Sequence, residues 1–348
     1  MKIGITYNLK DELSPSAILD AESVEEFDTQ HTIDSVCGIF EKNGYETVKL
    51  GSGLGIIEKI KNERVDFVFN IAEGIRGRNR ESQVPAILEM LEVPFSGSDP
   101  LTLGMALDKI IAKRLAAHAG IPVARHRTVK KIEDLDGIDK QLCYPLITKP
   151  AWEGSSKGIY DSSRVTGKDG LERNVSLLLD KYRGQPVLVE EYIMGREITV
   201  GIVGNEVPRV IGLMEIVNKR SPGEDIFYSL DVKRRWEELV DYASPPDIGI
   251  LLDKHIRHYA LTAFRTFGCR DVARIDFRVS KNNRIFMLEL NPLPGLSPEY
   301  ADLVIMARKQ GMEYETLVMS ILQCAFSRYG LDPGKAAAAK RGGRHETI

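Results

Sequence analysis

Apolar residues in the first third of the chain fall in short runs that alternate with stretches of helical periodicity. Residues 2–7 read as a strand, 30–42 as an amphipathic helix stopped by Gly44, 45–50 as a second strand and 65–71 as a third. Helices at about 55–63 and 82–91 complete a βαβα order. That order predicts a parallel sheet with helices on both faces and ligands at the carboxyl ends of its strands. A polar insert, residues 9–29, leaves the sheet at that edge and carries Glu22, Glu25 and Glu26.

Beyond Pro94 to Ser98 the pattern changes. Residues 101–119 have helical spacing and end at Gly120-Ile121-Pro122, a stop signal and a plausible domain boundary. Strand-like runs follow at 145–149, 187–193, 197–203 and 210–215, with helices at about 171–181, 254–267 and 314–329. This order predicts α+β layers rather than a second doubly wound sheet. No internal repeat is visible.

The most informative local pattern is ARIDF (273–277), then SKNNR, then FMLELNPLPG (286–295). Asn282-Asn283 suits a two-residue type I′ turn, because Asn tolerates the positive φ such turns require. Lys281 then pairs with Arg284, which sets Asp276 opposite Glu289 and Arg274 opposite Asn291. Alternation puts those four on one face, and Ile275, Phe277, Leu288 and Leu290 on a core face. Opposed carboxylates repel, and a divalent cation would remove the conflict. Asp, Glu and an Asn amide oxygen suit Mg²⁺ or Mn²⁺ and argue against zinc. A solvated face screened by Arg274 and Arg278 is the competing reading.

Composition bounds the rest. With 348 residues and 43% hydrophobic positions the chain can bury a large core in two or three domains. A net charge of -3 and a pI near 6.2 give no broad attraction to nucleic acid or acidic membranes, so neither is expected as a partner. Cys37, Cys143, Cys269 and Cys324 are far apart without a C-x-x-C, as in reduced cytosolic proteins. MKIGITYN reads as a strand rather than a signal peptide, and no run is long and apolar enough to span a bilayer. A cytoplasmic location is expected, with residues 331–348 a frayed basic tail.

Other candidate sites vary in specificity. Gly51 to Gly55 has GxGxG spacing and reads as an ordinary turn, and His255 with His258 lacks any metalloprotease context. KPAWEGSSKG (149–158) is more telling, since a lysine ending an apolar strand before a glycine- and serine-rich turn can hold phosphate. VLVEEYI (187–193) is an apolar strand ending in two acids, with Glu197 one turn later. Such an edge can read an adenine through backbone groups and a ribose through a carboxylate, and a solvated strand end fits equally.

Taken in order, PFSGSDPLTLGMALDK, KPAWEGSSKG, VLVEEYIMGREITV and GCRDVARIDFRV…FMLELNPLPGLS resemble the blocks of the ATP-grasp superfamily, most closely the D-alanine–D-alanine ligases. The resemblance extends from the first strand to about Tyr329. It implies an α/β N-terminal domain with a parallel sheet over 1–104, followed by α+β ATP-grasp subdomains over 105–190 and 191–330, with ATP held between the latter two. Carried onto this chain, Lys109, Lys149 and Lys233 match phosphate-binding lysines, and Ser155 a serine of the closing loop. Glu190, Glu191, Tyr192 and Ile193 match the adenine strand, and Glu197 the ribose carboxylate. Asp276, Glu289 and Asn291 match the magnesium ligands, and Arg274 the arginine that steadies the transferred phosphate.

Glu25 falls where the family binds the substrate's amino group. Arg274, Ser155 and Glu25 are thus the catalytic candidates, and Gly295, Tyr300 and Glu73 the amino-acid-binding ones. The activity implied is amide-bond formation between two amino acids through an acyl phosphate, with ATP and Mg²⁺ as cofactors and a homodimer as the suggested assembly. Several positions depart from the family pattern. Arg234 stands where a tyrosine is usual, Glu73-Gly74 replaces a His-Gly pair, IRGRNRES replaces an acidic glycine-rich run, and Pro298-Glu299-Tyr300 replaces a serine-containing turn. Those departures, with Arg80, motivate a second reading, a ligase for other amino acids or a small peptide. A nucleotide-binding scaffold, or a kinase without ligation, is the alternative of another class.

Overall fold

The computed structural model describes residues 1–10 and 21–331. Residues 11–20 of the polar insert and 332–348 of the basic tail therefore lie outside the described residues. The first sheet is parallel, in the order β2-β1-β3, from β1 (Lys2–Thr6), β2 (Glu46–Gly51) and β3 (Phe67–Asn70). The helices Gln30–Lys42 and Gly55–Glu63 begin and end at the expected residues. Thr29 caps the first by accepting from the Thr32 N–H, which satisfies one of the amides a helix start leaves unpaired.

One face of this sheet packs against Gly55–Glu63 and Gln83–Met90, through Leu50, Ile56, Ile60, Val68 and Leu88. The other face draws on both ends of the sequence. Ile3, Ile5, Phe67 and Phe69 meet Ile33 and Phe40 of Gln30–Lys42, together with Leu317, Ile321 and Phe326 of the closing helix Tyr314–Tyr329. Phe326 stacks edge-on to Phe67 at 4.9 Å, and Phe40 edge-on to Phe69 at 5.1 Å.

A second, antiparallel sheet has the order β4-β7-β5-β6, from β4 (His126–Val129), β5 (Leu146–Pro150), β6 (Arg164–Val165) and β7 (Val187–Glu191). The third has the order β10-β9-β8-β11-β12, from β8 (Gly195–Gly204), β9 (Arg209–Asn218), β10 (Val240–Ala243), β11 (Asp271–Ser280) and β12 (Ile285–Asn291). Its core face packs Ile198, Val200, Ile275, Phe277 and Leu290 on the helix Ile250–Phe267. Asp271 anchors this sheet to the rest. Fully buried, it accepts from the Gly97 N–H at 2.8 Å, the Asn205 amide at 2.9 Å and Arg328 of the closing helix at 2.7 Å.

Two expectations need correction. Residues 101–119 are not one helix but two, Pro100–Leu107 and Lys109–His118, because Asp108 between them is extended at ψ 98° and its carboxylate caps Ile110 and Ile111. The β11–β12 turn is not type I′. Ser280 pairs with Arg284 around three residues, and Asn283 alone takes a left-handed φ, 57°. The extra residue is cancelled by a bulge between Asp276 and Phe277, so that Asp276 still faces Glu289 and Arg274 faces Asn291. The bulge exchanges two side chains: Met287 is in the core and Leu288 faces the cleft.

Candidate active site

A cleft of about 420 Å³ is lined by β5, β7, β8, β11, β12 and the segment around Glu25 to Asp28. Lys109 and Lys149 enter it from different elements. The break at Asp108 aims the first of them: Asp108 accepts from Arg78 at 2.7 Å and from the Trp152 indole at 3.0 Å, while the Lys109 N–H donates to Ala151. Lys109 Nζ then donates to the Glu153 carbonyl and stands 3.6 Å from Glu289.

Lys149, at the end of β5, meets Glu190 at 3.0 Å, and Lys113 meets the same carboxylate at 3.0 Å. Burial pushes the Glu190 carboxyl up, but the two ammoniums more than reverse this and hold it at about 2. Glu190 is therefore a buried anchor for two lysines. Its neighbour Glu191 is bound by Arg125 and by the Cys143 N–H at 2.7 Å. On this edge the Glu191 and Tyr192 N–H groups donate to Arg125 and Pro145, and among the described residues the Ile193 N–H has no partner. Lys113 was missed in sequence, although it lies one helical turn from Lys109 on the same face.

Gly154, Ser155 and Ser156 make the glycine-rich loop. Ser155 and Ser156 both hold positive φ, 49° and 58°, a conformation uncommon for serine that persists where surroundings impose it. Among the described residues their N–H groups have no partner. Such consecutive amides form an anion-binding concavity. Lys233 also lines the cleft, its pKa lowered by burial, and has no ion pair among the described residues.

The opposed carboxylates on β11 and β12 divide their roles. Burial raises Glu289, but Lys109, Arg274 and Lys149 more than offset it and hold its carboxyl at about 2. Asp276 is raised by burial, against the pull of Arg274 at 2.8 Å. It also accepts from the Thr199 hydroxyl and from the Asn291 amide at 3.1 Å. Arg274 reaches on to Asp302 at 3.4 Å. Glu197 is lifted by burial to about 7 despite Arg278 at 3.1 Å. Arg278 is no surface screen: it is 3% exposed and also binds Asp225 at 2.7 Å and the Ile193 carbonyl at 3.1 Å.

On the amino-acid side Glu25, Glu73, Gly295 and Tyr300 all line the cleft. Glu25 pairs with Arg234 at 2.5 Å. Glu26, which the sequence reading left without a role, is the more buried and meets Arg80 and Lys157, each at 2.8 Å. Lys10 lies 5.7 Å over the Tyr300 ring.

The fold and these groups define an ATP-grasp enzyme, a carboxylate–amine ligase. The sequence family described as D-ala D-ala ligase C-terminus matches residues 115–323. The D-alanine–D-alanine ligase of Desulforudis audaxviator is 31% identical over 297 residues, covering 84% of this chain and 92% of the relative. The uncharacterized protein y4sG of Sinorhizobium fredii is 33% identical over 305 residues, covering 85% and 88%. The crystal structure of the Bacillus anthracis D-alanine–D-alanine ligase complexed with ATP superposes with a TM-score of 0.72 at 24% identity, over 94% of this chain and 98% of that one. The chain belongs to the D-alanine–D-alanine ligase family. Among the described residues no helix is long and apolar enough to cross a membrane.

Proposed function

We propose that the chain joins two amino acids, with D-alanine a substrate, by first moving the γ-phosphoryl group of ATP onto a carboxylate. The observation that carries this reading is convergence: Lys109, Lys149, Arg274, Asp276, Glu289 and Asn291, from separate elements, line one cleft. The ligases among its curated relatives support the choice of D-alanine.

A carboxylate is a poor electrophile at neutral pH. Phosphorylation supplies a leaving group, the amine then attacks the acyl carbon, and inorganic phosphate departs. Charge gathers on phosphoryl oxygens throughout, so placed cations do most of the catalysis. Lys109, Lys149 and Lys233 would hold the phosphates, and Arg274, kept in place by Asp276 and Asp302, would steady the transferred group. The Ile193 N–H suits the adenine edge and Glu197 the ribose hydroxyls. The Ser155–Ser156 loop would close over the phosphates and keep water from the acyl phosphate.

The residues fit Mg²⁺ or Mn²⁺. Asp276 and Glu289 are directly opposed with Asn291 on the same face, an all-oxygen set once the Asn291 amide turns its oxygen inward. Among the described residues no three His, Cys, Asp or Glu side chains converge on one point, so phosphate oxygens would complete the shell, as is usual for magnesium. A bound ion would offset the negative charge of the phosphates.

Wild type and Glu289→Gln incubated with ATP, Mg²⁺ and a panel of amino acids including D-alanine test this reading. Wild type should release ADP and form a product with the mass of a dipeptide, and the variant should fall to background. Equal ADP release by the two would refute the assigned site.

A further inference from the structure

The end of the cleft around Glu73 carries more negative charge than its neighbours neutralise. Glu26 is matched by Arg80 and Lys157, and Glu153 by Lys157 at 2.6 Å. Asp28, Glu73 and Glu81 line the same cleft, and among the described residues none of these three carboxylates has a hydrogen bond or a salt bridge. Residues 11–20 contain no Lys, Arg or His that could supply one. Glu81 is only 8% exposed, and the charges of Arg80, Lys109 and Lys157 reach it without direct contact, so its carboxylate is left to meet a group that enters the cleft.

Local geometry builds the arrangement. Gly74 has φ +74°, and a Cβ there would lie 2.4 Å from the Arg80 carbonyl oxygen, so only glycine lets the turn Arg80–Ser82 fold back onto it. That return brings Glu81 close enough for its charge to be felt at Glu73. A metal ion is a poor occupant, since among the described residues no three acidic, His or Cys side chains share one point. Carboxylates spread along a wall instead suit an organic cation, an ammonium or guanidinium on a flexible stem. One α-ammonium needs a single carboxylate, and Glu25 and Glu26 already stand on the adjoining wall.

The geometry points to a cationic side chain on one of the two amino acids joined, received by Glu73 and Glu81 with Asp28 beside them. This rests on the ligase reading above and narrows one of its two substrates, the partner of D-alanine, to basic amino acids. The electrostatics agree. Burial raises Glu81 to about 7, against Arg80, Lys109 and Lys157 and together with Glu26. Burial, and then Glu81, Glu26 and Asp28, raise Glu73 well above the usual carboxylate range against Arg80. An arriving cation favours the ionised carboxylates and releases protons, so preference for a basic substrate strengthens as pH rises.

The test measures ADP release and product mass for wild type with ATP and Mg²⁺, comparing lysine, ornithine and arginine with alanine and leucine, both enantiomers of each. At least one basic amino acid should exceed its neutral counterparts in kcat/KM by on the order of tenfold or more, and Glu81→Gln should lower that ratio by about tenfold. The wild-type ratio should also climb between about pH 6 and pH 8. These two wild-type measurements decide the matter if the variant does not fold. Amide formation with equal kcat/KM for neutral and basic amino acids would overturn the cationic subsite and leave the ligase reading standing. Absence of amide product from every pair would overturn the ligase reading itself.

Discussion

The carboxylate of Glu25 accepts hydrogen bonds from both Nε and Nη2 of Arg234, at 2.8 and 2.5 Å, across 209 residues of sequence. It is one of three acids that tie a short segment to the rim of the cleft. Glu22 accepts from Tyr182 at 2.7 Å and Tyr160 at 2.9 Å, and Glu26 meets Lys157 and Arg80. Because the Glu25–Arg234 pair is partly exposed, Arg234→Ala should cost at most about 1 kcal/mol in urea unfolding. Its effect should fall on substrate binding instead, as a higher KM for the amino acid with KM for ATP little changed. Steady-state kinetics in both substrates separates the two.

Gly154 lies against Glu26 so closely that a Cβ there would be 2.3 Å from Oε1. Gly154→Ala must push that carboxylate off Arg80 and Lys157 or shift the glycine-rich loop. We expect kcat to fall on the order of 10²-fold, the scale of an ångström-sized misplacement near the chemistry. The circular dichroism spectrum should remain that of wild type.

Removing the Glu190 charge leaves two ammoniums facing each other in the interior. Glu190→Gln should therefore destabilise the protein by about 3–5 kcal/mol, measured by denaturant unfolding. The double variant Glu190→Gln, Lys113→Met should recover part of the loss, since it also removes the 2%-exposed ammonium of Lys113.

Acid should weaken the fold through the same groups. Glu26 and Glu190 are held at about 2, below the ordinary carboxylate value of 4.5, so each contributes stability above the unfolded value that is lost as pH falls through the folded one. The unfolding free energy should decline from about pH 4.5 toward pH 2, and less steeply in Glu26→Gln. An equal slope in the variant would exclude Glu26 as a contributor.

What could be read in sequence followed from local chemistry. The helices Gln30–Lys42 and Tyr314–Tyr329 were legible because period and stop signals agree at their ends. β4 was not, since HRTV has neither strict alternation nor an apolar run to mark it. The opposition of Asp276 and Glu289 was legible for a reason only partly right. The turn is one residue longer than Asn-Asn suggested, and the bulge removes the error before it reaches the site. Bulges leave no clear mark in a single sequence, so Leu288 was misplaced in the core. Arg278 was read only as a screen on a solvated face, because a strand arginine usually faces water and its five partners come from segments far from it in the chain.

The shared core of the first sheet also bears on how the protein is made. Its strands are made well before part of their apolar cover: Ile3, Ile5, Phe67 and Phe69 pack on Tyr314–Tyr329, which is synthesised after every described strand. Throughout translation of the intervening chain that surface is open to chaperones and to other nascent chains. A message truncated before Tyr314 would encode every described strand and yield a product that aggregates.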